Sequence, residues 1–173
     1  NYYITPTGDQ YYQNGGPASS EDFWDGKAAK NYAAGTGTFE DPYLIENCEQ
    51  FYLMATTLNA KGYYKVADGV TDLYFNDVKG LNYSEAMNML KSKKMHNYNP
   101  GESNNFSGYF DGNGVTIHGI KSTAKERCAL IPQAGNSTFK NFTIKNSTFT
   151  ATDNLPTNTT KTVGAAAVVA DLY

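Results

Sequence analysis

From Phe106 onward the chain breaks into short runs of β character closed by turns rich in Gly or Asn, which restricts it to folds made of many short strands. Phe106 to Phe110 reads as a short strand, Asp111-Gly112-Asn113-Gly114 as a turn, and Val115-Thr116-Ile117 as a strand of alternating character. Phe142-Thr143-Ile144 and Ser147-Thr148-Phe149 continue the alternation, and Val163 to Val169 is a last apolar run of small residues. Ile117 and Ile120 recur as Phe139 and Phe142 with the same separation within each pair. The interval from the first pair to the second falls at the short end of the periods that solenoids show, roughly 20–50 residues, so it suggests a coiled chain.

Upstream, one segment has a clear helical pattern. Asp41-Pro42-Tyr43-Leu44-Ile45 reads as extended, because Pro42 disfavours helix at Asp41. Asn47 is a good N-cap, and Gln50 three residues later completes a capping box. Phe51, Met54, Ala55 and Leu58 then fall on one apolar stripe, and Asn59 and Gly62 supply a stop. The spacing predicts a helix at about 47–60, docked on a larger apolar surface. Tyr63 to Val66 and Val70 to Phe75 read as strands, and Ser84 opens a predicted helical insertion at about 84–95.

Composition narrows the function. The 173 residues suffice for one domain or several turns of a solenoid, and 14% aromatic residues argue against disorder. Net charge is −3, the lysines are scattered and Arg127 is the only arginine, so no basic face for nucleic acid is visible. No run of about 18 apolar residues predicts a membrane span. A Cys48–Cys128 disulfide would add roughly 4 kcal/mol by constraining the unfolded chain. Two buried free thiols are the alternative, and the spacing fits no metal site. Asn1 follows neither a Met nor a leader, which predicts a mature or excised piece; the apolar run ahead of Tyr173 predicts further coils or a partner surface beyond it.

Several segments, taken in order, resemble a known family. Gly35-Thr36-Gly37-Thr38, Asp41 to Ile45, the helix from Asn47, Tyr63-Tyr64-Lys65, and Phe106 to Gly114 before Thr116-Ile117 are similar to the opening of bacterial surface β-helix proteins of the GLUG-repeat type. Asn1 to Gly8 also resembles the opening of secreted pectate-lyase-like β-helices. The match covers about 35–150 and is specific through its order. The G-L-x-G signature is degenerate here, as Ala129-Leu130-Ile131-Pro132 and Gly164 to Ala167, and the 76–105 segment is long for the family. The resemblance implies a mainly β protein: the start of a right-handed parallel β-helix, truncated at its C-terminus. Residues 1–62 would be the capping segment, and 63–173 the first rungs. It also implies an extracellular or cell-surface setting.

No catalytic set and no cofactor requirement is visible. Asp111-Gly112-Asn113-Gly114 is a turn rather than a calcium loop, since Val115 and Ser122 stand where an EF-hand needs oxygen ligands. Asp68, Asp72 and Asp77 read as surface carboxylates rather than a cation site. His96 and His118 read as structural, His118 outward on its strand with no partner nearby in sequence. Glycosidases need convergent carboxylates, and Arg127, placed near a turn, has no Asp pair beside it in sequence. The Asn-x-Ser/Thr triplets at Asn82, Asn136, Asn141, Asn146 and Asn158 follow from composition.

Aromatic surplus is the positive signal. Tyr2, Tyr3, Tyr11, Tyr12, Trp24 and Tyr32 lie in a polar segment with few aliphatic partners. Exposed rings stack on sugars and anchor protein interfaces, so Tyr11, Tyr12, Trp24 and Tyr32 form a candidate platform, with Tyr98 and Tyr109 as weaker members. The competing expectation is that these rings cover the first rung as part of a core. Three functions follow as expectations: a non-catalytic surface module binding a glycan or a protein, the cap of a carbohydrate-active enzyme whose site lies elsewhere, or a structural stalk.

Overall fold

A computed structural model describes residues 2–4, 10–12, 24, 26–75, 97–101, 105–153 and 163–172, without the side chains of 2–4 and 10–12. The chain is mainly β, with parallel sheets and, among the described residues, one helix. Strands β1 (Tyr2–Ile4) and β2 (Gln10–Tyr12) form an antiparallel pair. Every other described pairing is parallel.

The main sheet places β3 (Tyr43–Ile45), β4 (Tyr63–Val66), β7 (Tyr109–His118) and β11 (Thr138–Lys145) side by side, with β5 (Asp72–Tyr74) also on β7. A second sheet holds β6 (Asn105–Phe106), β10 (Ile131–Ala134) and β14 (Val169–Leu172). Two further pairs join β8 (Lys121–Ala124) to β12 (Thr148–Ala151), and β9 (Arg127–Cys128) to β13 (Gly164–Ala165). The predicted helical insertion at about 84–95 lies outside the described residues.

Parallel register aligns like residues in columns. Tyr43, Tyr64, Phe110 and Phe139 stand in one register column and point inward; Leu44, Lys65, Asp111 and Lys140 stand in the next and point outward. The interval from Ile117 to Phe139 expected from the sequence is not the structural period. Ile117 pairs with Ile144, and Phe139 pairs with Phe110, so each true step is longer than that interval. Both Ile117 and Phe139 lie in the β7–β11 pair, but at opposite ends of it. The step from Phe110 to Phe139 also exceeds the step from Ile117 to Ile144, because β7 carries two extra residues between Asp111 and Val115.

Those extra residues belong to the Asp111-Gly112-Asn113-Gly114 segment. It is a bulge inside a continuous strand rather than a turn between two strands. Asn113 and Gly114 take left-handed backbone, φ 51° and 86°, and the Asp111 carboxylate accepts the Asn113 N–H at 2.9 Å. A β-bulge with this local bond bends the strand without breaking its pairing.

The helix α1 (Cys48–Thr56) is shorter than predicted. Its N-terminus is built as the sequence indicates: Asn47 Oδ1 accepts the Gln50 N–H at 2.9 Å, while Gln50 Oε1 accepts the Glu46 N–H at 2.7 Å. At the other end Thr57 is extended and Asn59 left-handed, φ 55°, so the helix stops before Leu58, which is 63% exposed. The Thr56 and Thr57 hydroxyls donate to the carbonyls of Tyr52 and Leu53, a local competition that favours termination. Phe51, Met54 and Ala55 are buried against Val66, Leu73, Phe110 and the rest of the core. Burial of each large apolar side chain stabilises by roughly 1.5–3 kcal/mol, so the stripe docks the helix despite its length. Cys48 and Cys128 are both buried free thiols, and the Cys48 thiol donates to the Tyr74 carbonyl at 3.2 Å.

Candidate functional site

Trp24 is a core residue, which corrects the expectation that it is exposed. It is 1% exposed, its indole N–H donates to the Lys27 carbonyl at 2.9 Å, and its ring meets Tyr52, Phe75 and Tyr98 at centroid distances of 4.9, 5.2 and 6.1 Å. Tyr98 is also fully buried, its hydroxyl donating to the Leu130 carbonyl at 3.1 Å. Tyr32 is half-buried, stacked on Tyr43 at 4.5 Å and edge-on to Tyr64 at 5.6 Å. Tyr11 and Tyr12 lie on β2 opposite Tyr3 and Tyr2, and their side chains are outside the described residues. The structure thus places Trp24 and Tyr32 in packing roles.

A different set of rings lies on the outer face of the main sheet, Phe39 exposed and Tyr63 and Tyr109 half-buried. Side chains alternate along a strand, so with Tyr64 and Phe110 inward, Tyr63 and Tyr109 point out. They are register partners on β4 and β7, 5.5 Å apart between centroids. Phe39, on the loop before β3, meets Tyr63 edge-on at 5.6 Å and is 69% exposed. The row therefore runs from Phe39 on the loop to Tyr63 and Tyr109 on two paired strands. The next register position is the exposed Thr138.

Equivalent backbone bonds hold the row. The Tyr63 N–H donates to the Gly37 carbonyl, that of Tyr109 to Gly62, and that of Thr138 to Gly108, at 3.0, 3.1 and 3.0 Å. Gly108 is required here because a Cβ would lie 2.5 Å from the Gly62 carbonyl oxygen. The sequence does carry a signal for this row. Gly62-Tyr63-Tyr64-Lys65 and Gly108-Tyr109-Phe110-Asp111 are two copies of one pattern: glycine, outward tyrosine, inward ring, outward charge.

Beside the rings runs a column of charge. Lys65, Asp111 and Lys140 occupy one register position on β4, β7 and β11. Lys65 Nζ lies 2.9 Å from Asp68 Oδ1, and Lys140 Nζ lies 3.2 Å from Asp111 Oδ2. Lys140 Nζ is also 5.1 Å from the centre of the Tyr109 ring. Asn113 and Asn141 complete the network through Asp68 and Asp111, at 2.9 and 3.0 Å. Burial alone would raise the Asp111 carboxyl, but the Asn113 N–H, the Asn141 amide and the Lys140 ammonium hold it below its ordinary value. The Tyr109 hydroxyl and the Asp111 carboxylate raise Lys140. Hydrogen bonds from Lys65 and Asn113 lower Asp68. Both carboxylates are therefore ionised, and the Lys140 ammonium is charged, across the neutral range. Phe39, Pro42, Tyr63, Lys65, Tyr109 and Lys140 help line a shallow cleft of about 170 Å³.

The chain matches no family model, no curated protein and no solved structure. Its chemistry is therefore read from its own side chains.

The remaining polar candidates are taken up in local pairs. His118 is not unpartnered: Nε2 lies 2.7 Å from Asp72 Oδ1, and the ring stacks on Tyr74 at 4.4 Å. Register explains what sequence distance hid, since Tyr74 pairs with His118 and Asp72 points to the same side. Asp68 and Asp72 have separate partners, Lys65 and His118; Asp77 and His96 lie outside the described residues. Arg127 sits on the two-residue strand β9 between bends, bonded to Asp171 at 2.9 Å, with Glu126 3.8 Å away. Asn136, Asn141 and Asn146 are exposed and left-handed, φ 50°, 58° and 51°, which accounts for asparagine at those positions.

Proposed function

We propose that this chain forms the capped start of a right-handed parallel β-helix of the GLUG-repeat type and serves as a non-catalytic carbohydrate-binding module of an extracellular surface protein. The fold part of the reading is supported by the parallel register columns and by α1 packing its apolar stripe on the core. Right-handedness follows from the general rule for crossover connections between parallel strands. The surface setting rests on the family resemblance.

The observation that carries the binding function is the row Phe39, Tyr63, Tyr109 on the outer face of the sheet, one ring exposed and two half-buried, flanked by bonded Lys and Asp side chains. Aromatic faces stack on the C–H faces of sugars, and charged or amide side chains bond their hydroxyls. Rings that served only the core would have been drawn inward, as Tyr64 and Phe110 are.

Binding to immobilised plant and microbial polysaccharides tests the reading. The wild-type chain should be retained on at least one, and the Tyr63→Ala/Tyr109→Ala variant should pass through while still folded. Failure of the wild type on every polysaccharide would remove the binding function in favour of a protein partner or a structural stalk.

A further inference from the structure

Resting on the carbohydrate-binding reading, we infer that the ligand is an extended, uncharged polysaccharide lying across the strands, one sugar unit per level of the aromatic row. Three features fix this class and direction.

The first is the direction of the row. Phe39, Tyr63 and Tyr109 follow one another at 5.6 and 5.5 Å, Tyr63 and Tyr109 on paired strands at the ordinary spacing of about 4.8 Å and Phe39 on the loop beside them. That step is comparable to the length of one pyranose unit in an extended chain. A ligand running along a strand would meet one ring only, because the neighbouring outward position on each strand is Lys65 or Asp111 rather than an aromatic.

The second is the charge balance. Lys65 is bonded to Asp68 and Lys140 to Asp111, so each ammonium on the column already has a carboxylate at 2.9 or 3.2 Å. Of the nearby exposed charges, Lys61 beside Tyr63 and Asp41 beside Pro42 carry opposite signs. A uronate polymer would meet Asp68 and Asp111 beside the two lysines, so the column offers it no net positive charge and two carboxylates that repel it. A neutral sugar meets no such repulsion, and the Asp and Asn oxygens accept from its hydroxyls while Lys and Asn N–H groups donate.

The third is the shape of the cleft. At about 170 Å³ it is shallow and open, suited to the side of a polymer rather than to a buried terminal sugar. The outward position after Tyr109 is Thr138, so the described platform ends after three rings.

Affinities for gluco-, xylo- and manno-oligosaccharides of one to six units, compared with galacturonate oligomers of the same lengths, test the inference. Affinity for one neutral series should rise about threefold to tenfold per unit up to three units and then level off, the stacking increment of an exposed ring. It should be insensitive to salt, since no net charge is recruited. The Thr138→Tyr variant, which adds a fourth ring in register, should move the plateau to four units. Salt-sensitive preference for galacturonate would overturn the uncharged class while leaving glycan binding intact. Length-independent affinity, or a plateau unmoved by Thr138→Tyr, would overturn the direction. No binding of any oligosaccharide or parent polysaccharide would overturn this inference together with the reading it rests on.

Discussion

Lys140 and Asp111 stand at the same register position on neighbouring parallel strands, and the ammonium lies 3.2 Å from the carboxylate and 5.1 Å from the Tyr109 ring centre. The pair joins the aromatic row to the polar column. It also fixes how the outer surface responds to substitution, which differs from how the core responds.

Outward rings should affect binding and little else. Tyr63→Ala and Tyr109→Ala should each weaken polysaccharide binding about threefold to tenfold. Because both rings are half-buried, their unfolding free energies should fall by about 0.5–1 kcal/mol, well below the cost of emptying a core position. Titration calorimetry and denaturant unfolding on the same samples check both values.

Inward rings should do the reverse. Trp24→Ala and Phe110→Ala remove side chains exposed by 1% and 0%, and each should cost about 3–5 kcal/mol. Any loss of binding in these variants should follow the loss of folded protein. Thermal melts alongside binding at a temperature where the variant remains folded make the distinction.

Gly108 and Gly112 are fixed by close approach. A Cβ at Gly108 would lie 2.5 Å from the Gly62 carbonyl oxygen, and one at Gly112 would lie 2.5 Å from the Phe142 Cβ and 2.6 Å from the Asn141 carbonyl oxygen. Gly108→Ala and Gly112→Ala should therefore destabilise by about 1–3 kcal/mol, the range for overpacking. Gly69, whose Cβ would meet nothing within 4 Å, carries backbone strain alone at φ 86°. Gly69→Ala should cost less than either, as read by urea midpoints.

The helix cap should be measurable by itself. Asn47→Ala removes the acceptor for the Gln50 N–H and should cost about 1 kcal/mol, whereas Asn47→Asp should retain most of it. Unfolding of both variants at neutral pH reads the difference.

Alkaline pH should unfold the chain cooperatively. Burial raises Tyr32, Tyr52, Tyr64 and Tyr98 above their ordinary value of 10.0. A raised folded-state value means that the stability is fully present below pH 10.0 and is lost as pH climbs through the folded values. Asp68 and Asp111 have the opposite sign: their contribution is present above 3.8 and lost as pH falls below it. Tyrosinate absorbance followed against circular dichroism should show a buried class that ionises only as the fold is lost.

The parts of this structure legible in the sequence were those set by local chemistry. Asn47 and Gln50 specify a helix start through bonds within four residues, and the alternation in Val115 to Ile117 specifies a strand. Register was not legible. Apolar residues recur at both ends of β7 and β11, and the bulge at Asp111 to Gly114 shifts one strand on the other, so Ile117 resembled a partner of Phe139 when its partner is Ile144. The site was missed for a related reason. Trp24 lies in a polar stretch of sequence, yet α1 and Tyr98 from distant segments close over it. Tyr63 and Tyr109 sit beside inward rings, and only the pairing of β4 with β7 shows that they form one row on the outer face. Likewise His118 and Asp72 are far apart in sequence and meet through the β5–β7 pairing.

The most direct test of the account is a backbone and side-chain NMR titration of the folded chain with a neutral oligosaccharide of three or four units. The account predicts shifts concentrated on Phe39, Tyr63, Tyr109 and the Lys65 and Lys140 column, with Trp24 and Tyr98 unmoved. Shifts centred on any other face, or none across the neutral series at millimolar ligand, would contradict it.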